Sequence, residues 1–315
     1  MSCPIIVLAY HDLSQQGDFL SWMRVNAEVF DRQIRLFKKI GNFIRPDELY
    51  DSSRLKRNRL NLILTFDDGY CNNYHLGFPL IKKHGVPALF FISTSNMQSG
   101  EPFWFDRIIQ PIQRNSLKSL DLRSLGLKNY QFSTTTRARW DDLQVLLEDV
   151  KKAETMRNEE IADDIVQILQ KACPGHASLS HNDRYQPLTP QHIAEMYESG
   201  LCFFGSHSHK HTILTSLSDD ELNAELTESR RILEEIVGET VNYISYPNGD
   251  ADKRVKQACC NAGYRYGYTT NKAVTGYYAD EMYIPRVLIG GFDSTAKIMW
   301  KIYRRLKLLR APLDA

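Results

Sequence analysis

Residues 62–70 read Leu-Ile-Leu-Thr-Phe-Asp-Asp-Gly-Tyr, and this stretch decides the fold. Its apolar and β-branched first half is typical of a buried parallel strand, and the pair Asp67-Asp68 follows where that strand should end. In α/β proteins, functional groups collect at the carboxyl ends of parallel strands. Burial of two adjacent carboxylates raises the pKa of at least one of them unless a cation or a metal ion balances the charge. The stretch therefore indicates either a metal site or an Asp-Asp-Gly turn with exposed acids.

A histidine-rich stretch follows another short apolar run. Residues 201–204 are predicted to end a strand, and residues 205–211 then read Gly-Ser-His-Ser-His-Lys-His. His207 and His211 are four residues apart, so on one helical turn their imidazoles share a face and can bind one ion, whereas His209 lies off that face. A lone histidine is usually a surface residue or a satisfied core residue. Three of them directly after a predicted strand favour a metal site.

The two stretches together resemble a known family. Residues 65–69 (Thr-Phe-Asp-Asp-Gly) and 207–211 (His-Ser-His-Lys-His) are similar to the first two motifs of the NodB-like polysaccharide deacetylases, carbohydrate esterase family 4, in residue type and in order. The similarity covers about residues 5–289, with a long insertion. It implies a distorted (β/α)7-type barrel in a single α/β domain over residues 1–315. It also implies that Asp68, His207 and His211 bind a metal ion and that Asp67 is the general base.

Along the chain, amphipathic helices alternate with short apolar strands. This order predicts parallel strands with right-handed crossovers. The helix starts and ends are marked by capping residues, by proline at a first helical position and by glycine after the last turn. The clearest helices are predicted at residues 26–41, 76–84, 189–199 and 219–237.

The composition is that of a globular protein. With 315 residues, 43% of them hydrophobic, the chain can bury a sizeable core, and 39 basic against 38 acidic residues create no field that would favour nucleic acid as a partner. No apolar run is long enough to span a bilayer, and residues 1–4 lead into a strand without a basic n-region. We therefore expect a cytoplasmic protein unless an export signal is missing from the sequence. The six cysteines show no metal-finger spacing and suit reduced thiols.

The first predicted strand, residues 5–10, ends at His11. A histidine at this place either faces the pocket or caps the strand against solvent. In the family, a Leu-x-His motif supplies the general acid, and residues 8–11 (Leu-Ala-Tyr-His) match it if one extra residue is allowed. No such pattern follows residue 284. The resemblance therefore implies a circularly permuted member in which His11 is the general acid.

A third motif is expected after the predicted strand 241–246. Pro-Asn-Gly at this position forms a turn by itself. By the resemblance, the backbone N–H of Asn248, just after Pro247, would stabilise the oxyanion. The arginine that precedes this proline in many members is missing. Arg286, near the end of the last predicted strand, is the candidate to hold Asp67 in its place.

An aromatic segment, residues 101–107 (Glu-Pro-Phe-Trp-Phe-Asp-Arg), interrupts the alternation of strands and helices. Such a cluster either stacks on sugar rings or forms a hydrophobic hinge. Related deacetylases associated with surface polysaccharides have a similar segment, and we predict Trp104, Tyr246 and Pro247 as substrate contacts. Residues 108–185 are charged and mostly helical, with the clearest helices at 140–148 and 159–172. This region is predicted to be an insertion that forms a lid or a helical subdomain.

Residues 294–310 are predicted to form a basic amphipathic helix. One possibility is peripheral contact with an anionic membrane, where a lipid-linked glycan would be found. The favoured alternative is a closing helix that packs on the barrel and exposes its basic face to solvent.

These features together predict a metal-dependent N-deacetylase acting on an N-acetylated amino sugar in a polysaccharide, an oligosaccharide or a glycan precursor. Zinc is the usual ion for two imidazoles and one carboxylate, although cobalt, nickel or iron also suit such a site. Two rival hypotheses are a hydrolase of non-sugar amides, such as cyclic imides or ureides, and a catalytically silent glycan-binding barrel.

Overall fold

The computed structural model describes residues 4–15, 23–115, 117–153, 158–172, 185–271 and 280–309. Its strands are β1 Ile5–Tyr10, β2 Asp12–Ser14, β3 Arg24–Asn26, β4 Gly41–Phe43, β5 Leu60–Phe66, β6 Ala88–Ile92, β7 Ser119–Asp121, β8 Asn129–Gln131, β9 Cys202–Ser206, β10 Tyr243–Ser245, β11 Tyr266–Thr269 and β12 Ile284–Leu288. Its α-helices are α1 Ala27–Ile40, α2 Phe78–His84, α3 Thr94–Ser99, α4 Trp104–Arg114, α5 Thr136–Ala153, α6 Asn158–Ala172, α7 Pro190–Glu198, α8 Asp219–Val237, α9 Lys253–Asn261 and α10 Thr295–Leu309.

Seven parallel strands close into a barrel. The ring runs β1-β5-β6-β9-β10-β11-β12 and returns to β1, while β4 pairs with β5 outside the ring. Strand β1 closes it by pairing on both sides, with Ile6 opposite Leu62 of β5 and Leu8 opposite Val287 of β12. The ring is irregular between β9 and β10, which are joined by a single residue pair, Ile244 opposite Ser206. The predicted distorted (β/α)7-type barrel is therefore confirmed.

The barrel strands are buried on both faces, which explains why they read as continuous apolar runs rather than as alternating patterns. All six residues of β1 are buried, as are six of the seven residues of β5. Aromatic rings from neighbouring strands stack in this core, with the centroids of Phe66 and Phe90 4.9 Å apart. The backbones of β9 and β10 also approach closely at Gly205, where a Cβ atom would lie only 2.8 Å from the Tyr243 carbonyl oxygen.

The helices begin and end where their capping residues predict. The Asn26 side chain accepts a hydrogen bond from the backbone N–H of Glu28 (2.9 Å) at the start of α1. Helix α8 begins after Ser218 in a capping box and ends at Gly238, whose φ of 72° is left-handed. The helix predicted at residues 76–84 differs, because a π-helical turn at Asn73–Gly77 precedes α2.

Helices α4, α5 and α6 build a second apolar cluster beside the barrel. Within the predicted insertion 108–185, the two expected helices correspond to α5 and α6, and the antiparallel hairpin β7–β8 was not predicted. Residues 116, 154–157 and 173–184 of that range lie outside the described residues. The cluster has its own buried side chains, including Ile108, Ile112, Leu143, Leu146 and Ile165. That the region acts as a lid or a subdomain stays a prediction.

Helix α10 packs on the barrel. Its apolar side chains Ile298, Ile302 and Leu309 are buried, and the helix contacts β1 and β12. The structure shows this packing for the described part of residues 294–310, and residue 310 lies outside it. The predicted solvent exposure of the basic face does not hold for Arg305, which is buried. In the ranges that the structure describes, no helix has both the length and the apolar character needed to cross a bilayer.

Candidate metal and catalytic site

The predicted site residues converge at one rim of the barrel. Asp67 and Asp68 directly follow β5, His207 directly follows β9, and His11 directly follows β1. Arg286 lies within β12. Because the strands are parallel, their carboxyl ends meet at the same rim, which is why residues distant in sequence share one site.

Asp68, His207 and His211 form the cluster predicted to bind a metal ion. The Asp68 Oδ1 atom lies 3.4 Å from Nε2 of each histidine. Two ligands about 2.05 Å from a tetrahedral ion are separated by about 3.3 Å, so this spacing matches the two edges of a zinc-like coordination shell. A direct ion pair would instead close to about 2.8 Å. The two distances are therefore closer to those between ligands of a small divalent ion than to those of direct ion pairs.

The ring of His207 is oriented by the neighbouring strand. Its Nδ1 atom is 2.7 Å from the carbonyl oxygen of Ser245, so Nδ1 bears a proton and donates it, while Nε2 faces Asp68. Burial is the largest influence and lowers the pKa of His207, but the charges of Asp67 and Asp68 and the hydrogen bonds to Asp68 and Ser245 together raise that pKa above its ordinary value. Burial lowers the pKa of His211 below its ordinary value, which favours the neutral, ligating imidazole.

The histidines do not meet on a helical turn, so this part of the sequence prediction is wrong. Residues 207–211 form a loop in which Ser208 and His211 have φ values of 62° and 57°. Asp68, the third member of the cluster, also has a left-handed φ of 73°. Left-handed backbone is unfavourable for residues with a Cβ atom and recurs at functional sites, where the surrounding structure maintains it. The imidazoles therefore converge through strained backbone rather than through helical periodicity.

The histidine loop is fixed by helix α8 and helix α3. A carboxylate oxygen of Glu225 accepts hydrogen bonds from the backbone N–H groups of His209 (2.9 Å) and Lys210 (2.8 Å). The His209 ring pairs with the hydroxyl of Thr94 through Nδ1 at 2.9 Å. His209 thus supports the loop and is not a member of the cluster, in agreement with its predicted position off the shared face.

Asp67 is held by Arg286 in a two-pronged ion pair. The Nη1 and Nη2 atoms donate to the two carboxylate oxygens at 2.6 and 2.7 Å, and both side chains are buried. Burial is the largest influence and raises the pKa of Asp67, but the charge and hydrogen bonds of Arg286, together with nearby His207 and His11, lower it below its ordinary value. Asp67 is therefore ionised and able to accept a proton. The predicted contact between Arg286 and Asp67 is present.

His11 and Asn248 line the same cavity as the cluster. The His11 Nε2 atom lies 3.8 Å from an Asp67 carboxylate oxygen. Asn248 has a left-handed φ of 61° in the turn after β10, and its side chain donates to Asp250 at 2.6 Å. The catalytic roles of His11 and Asn248, and the circular permutation, stay predictions.

The aromatic segment lies beside Asp68, His207 and His211, which we call the metal cluster because we predict that they bind an ion. The rings of Phe103 and Phe105 lie 5.1 and 5.8 Å from the His211 ring, measured between centroids. Trp104 lines the cavity, as do Tyr246 and Pro247, and the whole cavity measures about 1310 Å³. Phe103 and Phe105 also belong to the apolar cluster of α4, α5 and α6, so the segment joins the barrel to that cluster while shaping the site.

Ser245 is a functional position that the sequence did not suggest. Its carbonyl oxygen orients His207, and its hydroxyl accepts from Arg286 Nη2 at 2.8 Å. One residue therefore positions both a metal ligand candidate and the partner of Asp67. Its place at the end of a strand, two residues before Pro247, was the only signal available.

A family model described as polysaccharide deacetylase matches residues 55–267. The poly-beta-1,6-N-acetyl-D-glucosamine N-deacetylase of Staphylococcus aureus (strain MSSA476) is 24% identical over 123 residues, which cover 36% of this chain and 42% of that protein. YxkH of Bacillus subtilis (strain 168) is 20% identical over 267 residues, which cover 84% of this chain and 63% of that protein. The chain thus spans less than two thirds of the length of these curated relatives.

Solved structures share the fold. The deacetylase PplD of Streptococcus pyogenes, in complex with acetate, superposes with a TM-score of 0.61 and 18% identity, covering 95% of this chain and 97% of that one. IcaB from Ammonifex degensii gives a TM-score of 0.59 and 16% identity, covering 97% and 98%.

Proposed function

This chain belongs to the polysaccharide deacetylase family, and from that premise we propose that it is a metal-dependent N-deacetylase. It removes the acetyl group from an N-acetylated amino sugar in a polysaccharide, an oligosaccharide or a glycan precursor. One observation supports this most strongly: the Asp68, His207 and His211 cluster shares a cavity with Asp67, which Arg286 keeps ionised. A catalytically silent binding barrel would not need this arrangement.

Asp68, His207 and His211 would hold one divalent ion. Zinc suits two imidazoles and one carboxylate, and cobalt, nickel or iron are accepted by the same donors. When bound, such an ion polarises the acyl oxygen and lowers the pKa of water in the site.

The remaining residues supply proton transfer and charge stabilisation. Asp67 takes a proton from the attacking water, and the Asn248 backbone N–H donates to the oxygen on which negative charge develops. His11 protonates the leaving amine. The distance of 3.8 Å between His11 Nε2 and an Asp67 carboxylate oxygen supports these two roles, because it would let both side chains reach one reacting centre.

The cavity favours a glycan over a small cyclic amide. Its volume of about 1310 Å³ exceeds the roughly 300–1,000 Å³ of usual small-ligand pockets. Trp104, Tyr246 and Pro247 would contact the sugar from its walls. The name of the Staphylococcus aureus relative, which specifies an N-acetylglucosamine polymer, supports the same substrate class. A cytoplasmic location and peripheral membrane contact through α10 stay predictions.

Acetate release tests this function. The substrates are N-acetylglucosamine oligomers, peptidoglycan fragments, nucleotide sugars and a cyclic ureide, with the metal content of the same preparation determined in parallel. We expect release from at least one N-acetylated sugar, loss of release after chelation, and recovery when zinc is restored. Hydrolysis of the ureide alone would establish the rival hydrolase, and bound metal without release from any substrate would contradict the proposal.

Replacing Arg286 with glutamine should slow turnover and shift its pH dependence. Burial raises the pKa of Asp67 and the Arg286 charge lowers it, so removal of that charge raises it. Asp67 would then stay protonated up to a higher pH, and the acidic limb of the pH profile of kcat should move to higher pH. Arg286→Lys keeps the charge and should restore part of the shift. An unchanged profile in Arg286→Gln would show that this contact does not tune the base.

A further inference from the structure

One face of α10 lines the cavity that contains the metal cluster. Lys297, Trp300, Lys301 and Arg304 all lie on this wall. Their spacing of three and four residues defines a single helical stripe. The apolar stripe Ile298, Ile302 and Leu309 is buried against the barrel, so the orientation of the helix is fixed. We call the stripe of residues 297, 300, 301 and 304 the basic wall.

The basic wall has an excess of positive charge. Asp293 is its nearest acid, and it pairs with both Lys297 and Lys301. Two lysines thus share one carboxylate. Arg304 adds a third cation. Among the described residues, its guanidinium contacts the Trp300 ring rather than an acidic side chain. Elsewhere in the lining, outside α10, the formal charges balance, with Asp67, Asp68, Glu101, Asp141 and Glu160 accompanied by Arg107, Arg137, Lys151, Lys210 and Arg286.

Arg304 is arranged to receive an anion beside a sugar. Its guanidinium carbon lies 4.7 Å from the centroid of the Trp300 ring. A guanidinium stacked by its face keeps its N–H edge available for the fork geometry that matches carboxylate and phosphate. Trp300 is 54% exposed, an unusual state for a large aromatic side chain unless a partner covers it. Aromatic rings present an apolar surface to the C–H faces of sugars.

We propose that the basic wall binds an anionic group, a phosphate or a carboxylate, on the same glycan whose N-acetyl group is hydrolysed at the metal cluster. This inference rests on the proposed function and adds the substrate class: an N-acetylated glycan with acidic substituents. A membrane surface is the weaker occupant, because Ile298, Ile302 and Leu309 are packed against the barrel and leave the rings of Trp300 and Tyr303 as the large exposed apolar groups of α10.

Binding tests the inference without turnover. In the full chain with Asp67→Asn, calorimetry compares neutral N-acetylglucosamine oligomers with phosphorylated and with uronate-containing oligomers of the same length. We expect the anionic oligomers to bind about tenfold more tightly at low salt, with the advantage falling as ionic strength rises. The double variant Lys297→Gln/Arg304→Gln should bring the ratio of anionic to neutral affinity close to one.

Lys307 gives the matched control, because it is an exposed cation of the same helix outside the cavity lining. Lys307→Gln should keep the preference for anionic oligomers. Equal binding of neutral and anionic oligomers, or equal loss in the control, would overturn the inference. Binding to vesicles of anionic phospholipid that is lost in the double variant, without any preference among oligomers, would assign the wall to a membrane and overturn it as well. Anion preference without acetate release from any substrate would keep the basic wall as an anion site but reject the proposed function, and with it the part of the inference that places the anion on the hydrolysed glycan.

Discussion

Asp67→Asn is expected to lower the rate of deacetylation by about 10³-fold while the protein still binds its metal ion. A general base typically contributes about 10²- to 10⁴-fold, and an amide of the same size cannot take up the proton. The three predicted metal ligands are unchanged in this variant, so metal content should stay at the wild-type level. The measurement is acetate release under saturating substrate, together with metal analysis of the same sample.

This substitution also leaves the buried Arg286 charge without its carboxylate, and the side chain of Arg286 is 0% exposed. Loss of one partner of a buried ion pair costs about 3–5 kcal/mol, so a lower thermal midpoint is expected and folding must be verified by circular dichroism. Asp106→Asn is the matched control, because Asp106 is a buried carboxylate that accepts from the Tyr70 hydroxyl at 2.8 Å and lies outside the proposed catalytic set. Its variant should keep turnover within a few-fold of wild type. If folded Asp67→Asn kept full activity, Asp67 would not be the general base.

Local sequence signals predicted the parts of the fold that local interactions determine. The bounds of α8 agree with the prediction because a capping box and a left-handed glycine act within one turn of each end. The barrel strands were recognisable because burial on both faces leaves continuous apolar runs. Asp68, His207 and His211 could be predicted as neighbours because their motifs follow strands, and the carboxyl ends of parallel strands meet whatever the distance along the chain.

The features that the sequence did not indicate depend on contacts between distant segments. The path of residues 207–211 depends on Glu225 of α8, which holds two backbone N–H groups of the loop. Nothing local distinguishes that loop from a helical turn with the same histidine spacing. The hairpin β7–β8 consists of three-residue strands, which are too short to show an alternating pattern.

The surroundings of the basic wall also could not be predicted from local sequence. The stripe of residues 297, 300, 301 and 304 is visible as a helical periodicity, but periodicity does not state which surface a stripe faces. The buried side of α10 against β1 and β12 decides this, since it turns the cations toward the cavity. A helix whose sequence suggested membrane contact therefore lines the cavity in which we propose that the substrate binds.

His207→Ala and His211→Ala are each expected to reduce bound metal from about one ion per chain to near none and to abolish deacetylation. Each histidine presents Nε2 to Asp68 at 3.4 Å, so either variant leaves only two of the three predicted ligands. Metal analysis after dialysis measures the first effect. The thermal midpoint measures the second, because a bound ion stabilises only the folded state. Chelation should lower the midpoint of the wild type and leave that of both variants unchanged.

His209→Ala distinguishes metal ligation from a general effect of removing imidazole from this loop. The His209 ring pairs with Thr94, and the loop around it is also held through its backbone by Glu225, so this variant should keep its metal and respond to chelation as the wild type does. On this assignment, the three histidines within five residues divide into two ligand candidates and one support for the loop. If His209→Ala lost the ion as completely as His207→Ala, or if His211→Ala kept it, the geometry of the cluster would be the wrong basis for assigning the ligands.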